Sequence, residues 1–361
     1  MAYTTIDDPS QHFDILTRSG VYDSSGTYDL TGLNFKPDFV WEKVRSVSGD
    51  HYLQNSSLTG KKMLKSNSSA AENTDGNIES YLSNGIQINR QYDWNSSRTL
   101  VDWFWKANGG TTSSNTDGSI TTTVQANTTA GFSIVTYTGN ATDNATIGHG
   151  LGATPEWVII KNRASSIDWA IGHKSIFGNN AENLRFTTGA AASAGDAAGS
   201  HFSRNAPSST VITLGDGGDG DFSTDTNRAE THVAYCFTSI KGYSKFGSYK
   251  GNITSGDDGT FVYTGFKPAW IMVKSSSNSG QEWVIFDNKR DTFNQMDAWL
   301  YANANTAEDS TGDARDVDFL SNGFKFRNAG GPTSYSGRTY IYMAFAEHPF
   351  VSSKGVPVTA R

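Results

Sequence analysis

The residues best suited to chemistry in this chain are carboxylates in a glycine-rich run. Asp216-Gly217-Gly218-Asp219-Gly220-Asp221, followed by Asp225, places hard oxygen donors at alternating loop positions, a pattern able to hold Ca²⁺. The glutamate that completes an EF-hand is missing, the flanks read as strands, and Gly/Asp clusters also make ordinary turns. Asp216, Asp219, Asp221 and Asp225 are therefore carried as candidate metal ligands beside a plain solvated-loop reading. Asp257-Asp258-Gly259 reads as a hairpin turn. The seven histidines form no HxH or HExxH arrangement, and the sequence contains no Gly-x-Ser-x-Gly elbow or Walker loop. His149, flanked by Gly148 and Gly150, reads as a turn residue bonded to backbone, and His232 as a side chain pointing off its sheet.

Glycan cleavage would need two carboxyl groups a few ångströms apart. Glu72 and Glu308 recur at matched positions, which favours a structural docking role over catalysis, whereas Asp287 and Glu347 belong to one region only. Cys236 lies in the apolar run Val233-Ala234-Tyr235-Cys236-Phe237 and is expected to be a buried, inert thiol. A single cysteine excludes an intramolecular disulfide. Tryptophan and tyrosine can stack on sugars. Most of the nine tryptophans sit at strand positions and read as core, while Trp94 and Trp299 are less regular and are candidates for exposure. No catalytic residue and no cofactor is expected.

The elements that must position these residues repeat. The phrase Pro-x-aromatic-aliphatic-x-x-Lys occurs three times, at 37–43, 155–161 and 268–274, at nearly equal steps. Each copy reads as a central strand with proline at its entry, apolar residues buried on both sides, and lysine at its exit to solvent. Leu64-x-x-Asn67 with Glu72 matches Leu300-x-x-Asn303 with Glu308. Leu82-Ser83-Asn84-Gly85 matches Leu320-Ser321-Asn322-Gly323, and Asn-Gly between apolar runs predicts hairpins. An aromatic strand closes each copy, near 100–105, 231–237 and 339–345. Residues 292–304 are the one helix candidate.

With 361 residues, 12% aromatics, 18% charged residues and 37 Gly against 8 Pro, the composition describes short strands joined by tight turns. The net charge of −7 and the lack of long basic runs argue against nucleic-acid binding. No apolar stretch is long enough to span a bilayer, and the opening residues read as no signal peptide, so synthesis in the cytoplasm and no membrane insertion are expected. The expected architecture is all-β, with three tandem β-sandwich (jelly-roll-like) modules at 1–108, 128–240 and 241–350. A Gly/Ser/Thr-rich linker at 109–127 is expected to hinge the first module against a fixed pair, and 351–361 reads as a tail.

Several phrases are similar to those of a family of virion proteins of marine tailed phages. They are the opening 1–10, Asn115-Thr116-Asp117-Gly118-Ser119-Ile120, Gly131-Phe132-Ser133-Ile134-Val135-Thr136-Tyr137, Gly148-His149-Gly150-Leu151-Gly152, Ser244-Lys245-Phe246-Gly247-Ser248-Tyr249 and Tyr340-Ile341-Tyr342-Met343-Ala344-Phe345. The resemblance covers nearly the whole chain and brings no binding or catalytic residues with it. It implies a non-enzymatic structural role in the virion, foremost a tail appendage or receptor-binding component contacting a host surface glycan or protein. A capsid decoration or head-fibre protein is the alternative, and a glycan depolymerase the third reading. Other virion proteins and copies of the chain itself are the implied partners.

Overall fold

The computed structural model describes residues 3–178, 183–193, 200–216, 222, 224–255, 259–311, 315–328 and 330–358. The fold is all-β. The first repeat contributes β1 (Phe13–Ser19), β2 (Thr27–Thr31), β3 (Phe39–Val44), β4 (His51–Asn55), β5 (Ile78–Leu82), β6 (Gly85–Asn89) and β7 (Thr99–Trp105). The second contributes β8 (Ser113–Asn115), β9 (Thr122–Asn127), β10 (Phe132–Thr138), β11 (Thr146–Gly148), β12 (Trp157–Asn162), β13 (Trp169–His173), β14 (Leu184–Arg185), β15 (Val211–Thr213) and β16 (Thr231–Phe237). The third contributes β17 (Ser244–Lys250), β18 (Phe261–Tyr263), β19 (Phe266–Ser275), β20 (Val284–Asp287), β21 (Leu300–Tyr301), β22 (Val317–Leu320), β23 (Gly323–Phe326) and β24 (Thr339–Pro349). The only α-helix among the described residues is one turn, α1 (Thr224–Asn227). The helix expected at 292–304 is absent: this stretch holds turns and β21 instead.

Each repeat builds one large antiparallel sheet in the same strand order. The orders are β1-β7-β3-β4, β10-β16-β12-β13-β14 and β17-β24-β19-β20-β21, and the second sheet is widened by β9 and β8. The register repeats too, since Phe39, Trp157 and Trp270 lie opposite Trp105, Phe237 and Phe345. A small sheet, β2-β6-β5, β11-β15 or β18-β23-β22, accompanies each large one.

Alternation along the heptamer strands explains why all three are buried on both faces. Trp41, Trp157 with Ile159, and Trp270 with Met272 enter one cluster that contains residues of all three repeats. Val40, Val158 with Ile160, and Ile271 with Val273 face three separate clusters beneath the small sheets. The common core is aromatic. Phe39 lies 4.4 Å from Tyr235, Trp105 lies 5.8 Å from Trp270, and Phe237 lies 6.0 Å from Phe345, ring centroid to centroid, so each pair of large sheets is in contact. The repeats are therefore not self-contained sandwiches.

The stretch 109–127 departs from the expected linker. It supplies β8 and β9, and Gln125, fully buried, accepts from the backbone N–H of Asn108 and Gly110 and donates to Ser56 and Ser57. Phe39 packs on Phe132 and Tyr235 as well, so the first repeat contacts the second through buried rings. The prolines also sit differently from one another: Pro37 and Pro155 precede their strands by two residues, whereas Pro268 lies inside β19 at a register shift, where a missing donor is tolerated.

Candidate functional site

The three heptamer lysines do not exit to solvent. Lys43, Lys161 and Lys274 are fully buried, and burial pushes each pKa down to about 8. Their ammonium groups answer backbone carbonyls at the strand ends. Lys43 donates to Gly49 O at 2.7 Å, Lys161 to Asn162 O and Ile167 O at 2.7 and 2.6 Å, and Lys274 to Gln281 O and Gly189 O at 2.7 and 3.1 Å. Each lysine thus satisfies loop carbonyls that would otherwise be buried without partners.

Around them the repeats interlock in a closed cycle. A ring N–H at the start of β13 or β20 reaches into the preceding repeat: Trp169 donates to Lys65 O at 2.9 Å and Trp283 to Arg185 O at 3.3 Å. His51 closes the cycle at β4. Trp41 Nε1–H donates to its Nδ1, so Nε2 carries the proton and donates to Tyr301 O at 2.9 Å, while burial holds the imidazole neutral by lowering its pKa. The backbone N–H of Glu72, Ala192 and Glu308 then donates to the carbonyl of Arg163, Ser276 and Arg45, respectively. Two of these three seams add an ion pair, Glu72–Arg163 at 2.7 Å and Glu308–Arg45 at 2.6 Å. Glu308 also binds the buried Arg290. The docking role expected of the recurring glutamates is what their geometry shows, and Leu184 to Ala192 is the second-repeat counterpart of the Leu-x-x-Asn segments, with Thr187 and Ala192 in place of Asn and Glu.

Where the heptamer strands begin, the three seams differ. At the first, Asp38 accepts from Ala107 N, Gly109 N and Ser56 Oγ at 2.7–2.8 Å, so its carboxylate is engaged by neighbouring backbone and side chain. Between the third repeat and the first, Asp8, Asp14, Asn288, Lys289, Glu347 and His348 line a cleft of about 230 Å³. Between the second and third lies a wider cleft of about 550 Å³, walled by Tyr3, Tyr263, Lys174, Lys241 and Lys245, with Glu156 and Ser239 on its floor. We take this basic cleft as the candidate site.

Local structure fixes its walls. Gly265 turns the chain between β18 and β19 at φ +87°, a conformation that favours glycine, and Tyr3 donates to its carbonyl at 3.0 Å. The two tyrosine hydroxyls meet at 3.1 Å, so Tyr263, about half exposed, is held upright. Gly242, at φ +79°, has Thr4 against it so closely that a side chain there would collide, which lets the irregular segment carrying Tyr3 pack tightly here. Lys241 sits 4.3 Å above the Tyr3 ring, Lys245 Nζ donates to Tyr263 O at 2.7 Å and lies over that ring, and Lys174 pairs with Glu156 at 2.9 Å. Ser239 also donates to Glu156. Three ammonium groups therefore share one carboxylate among the cleft residues.

The residues singled out from the sequence fall elsewhere. Asp225 is buried on α1, where its Oδ2 receives Arg185 Nε at 2.7 Å and His201 Nε2 at 2.8 Å. Asp216 is half-buried, and Asp219 and Asp221 lie outside the described residues, as do Asp257 and Asp258. Among the described residues no group of three or more His, Cys, Asp or Glu is placed to hold a metal ion. Cys236 is buried, and its pKa is pushed up to about 12 by burial. His149 bonds backbone as expected, whereas His232 is buried and stacks on Tyr137 at 4.9 Å. Trp299 is buried and Trp94 half-buried, so neither stands exposed.

Sequence reasoning also missed the densest carboxylate group. Arg18 binds Glu42, Asp93 and Asp102 at 2.5–2.8 Å, and all four side chains are buried. Burial raises the pKa of Glu42 and Asp102, so one guanidinium faces carboxyls that resist ionisation together. The four residues come from separate segments and carry no spacing signal. None of them lines either cleft described above, and the cluster reads as an anchor for the first repeat.

The molecule is thus an all-β protein in which three sheets close around one aromatic core. The chain belongs to the DUF7483 family, whose model, described as a domain of unknown function, matches residues 8–349 and so spans all three repeats. No curated protein and no solved structure matches it.

Proposed function

We propose that the protein is a non-enzymatic virion component of a tailed phage, a tail appendage that contacts the host surface through the basic cleft between its second and third repeats. The observation that carries this reading is the cleft itself: two tyrosine rings and three lysines converge on an open space whose walls rest on the shared core. Tyrosine supplies a flat apolar face with a polar tip, and lysine supplies charge that steers encounter with an anionic surface. A closed ring of interlocked sheets supports such a role because contact residues on a stiff frame lose little entropy on binding. The phrases shared with marine phage virion proteins supply the context. Gold-labelled antibody against the chain, applied to purified particles, tests the placement: label on the tail and adsorption blocked by purified chain are expected. Label on the head would instead give the capsid-decoration reading, and the absence of label from particles would overturn both.

A further inference from the structure

We propose that the cleft binds an acidic saccharide, a chain of uronate-type sugars whose carboxylates meet Lys241 and Lys245 while a ring face stacks on Tyr263. This rests on the binding role proposed above and names its ligand class. Three observations point the same way. First, the charge is unbalanced: Lys174, Lys241 and Lys245 face the single carboxylate of Glu156, which Lys174 and Ser239 already engage. Second, two of the cationic groups, Lys174 and Lys245, are close enough to oppose one another. Burial, with the Lys174 charge next in size, pulls the Lys245 pKa below the ordinary lysine value, and an anion entering the cleft relieves that repulsion. Third, the tyrosines are locked by hydroxyl contacts with each other and with Gly265 O, which leaves the Tyr263 ring about half exposed without a rotamer search.

A bare inorganic anion would use the lysines and leave the tyrosine wall idle. A neutral sugar would use the tyrosines and leave the charge uncompensated. A sugar chain carrying carboxylates uses both, and the cleft, about 550 Å³ and open on one side, admits a segment of such a chain. The corresponding cleft between the third and first repeats is lined by Asp8, Asp14 and Glu347 against Lys289 and His348, so the same seam position there repels this ligand.

The test is calorimetric titration of the intact chain with an oligogalacturonate, a neutral malto-oligosaccharide of equal length, and sulfate. The expected result is saturable, salt-weakened binding of the oligogalacturonate, with at least tenfold weaker binding of the other two. The double variant Lys241→Ala/Lys245→Ala and the single variant Tyr263→Ala should each lose tenfold or more, with unchanged unfolding midpoints. No binding of oligogalacturonate at millimolar concentration overturns the proposal, as does sulfate binding of equal strength or affinity unchanged in Tyr263→Ala. If the purified chain still blocks adsorption while oligogalacturonate fails to bind, the ligand class is wrong and the appendage reading stands. If it neither binds nor blocks, both fall.

Discussion

The two ends of the heptamer strands have been put to opposite uses. At the lysine end all three seams are closed by the same set of bonds: a buried ammonium on loop carbonyls, a ring N–H on the carbonyl of residue 65, 185 or 301, and a backbone bond at 72, 192 or 308. At the proline end the residue after each proline is Asp38, Glu156 or Ala269, and the seams are respectively hydrogen-bonded through Asp38, basic and acidic. Repetition survives where the ring must close geometrically. It is lost where a surface is free to specialise.

The largest effect should come from the shared core. Trp270→Ala removes a fully buried indole that touches aromatic rings of the first and third repeats. It should cost about 3–5 kcal/mol in urea unfolding, with a single transition for all three repeats. Separate transitions would show that the repeats fold independently. Next in size is the lysine-end lock. Glu308→Ala removes the carboxylate partner of Arg45 and one of the two carboxylates that hold the buried Arg290, and should cost about 2–3 kcal/mol, read as a shift in denaturation midpoint at constant slope. The seam without an ion pair offers the reverse experiment: Ala192→Glu with Ser276→Arg should add at most about 1 kcal/mol, because both positions are partly solvated.

A pH scan separates the ends further. Lys43, Lys161 and Lys274 titrate near 8 when folded and about 10.4 when unfolded. Between those values the unfolded chain binds more protons, so stability should rise with pH from about 8 to 10, by on the order of 1 kcal/mol per lysine. Denaturation midpoints at pH 8 and 9.5 check this, and Lys161→Met should flatten part of the slope. Smallest of all, Lys241→Ala/Lys245→Ala should change stability by less than about 0.5 kcal/mol, since those side chains sit at an open surface.

The sequence made the strands legible because burial on two faces leaves a near-continuous apolar run, and Trp157-Val158-Ile159-Ile160 has no other reading. It was silent on where the lysines end, because a lysine at a strand terminus looks the same whether it meets water or carbonyls. The Asn-Gly pairs marked real hairpins, with the glycine paired in the strand and not in the loop. The loop residues are Ser83-Asn84 and Ser321-Asn322, and Gly85 and Gly323 are needed because a side chain there would strike the Leu30 and Val262 carbonyls. Tertiary packing buried Trp299, whose irregular spacing in the sequence had made it a candidate for exposure. The cleft was illegible because Tyr3, Glu156, Lys174, Lys245 and Tyr263 come from distant segments that only ring closure brings together.

The contrast between a locked end and a binding end is tested most directly by hydrogen exchange of the intact chain with and without saturating oligogalacturonate. Added protection is predicted at 238–246 and 261–266, with none at 64–72, 184–192 or 300–308. Protection centred on those interlocking segments, or none at the cleft, would contradict it.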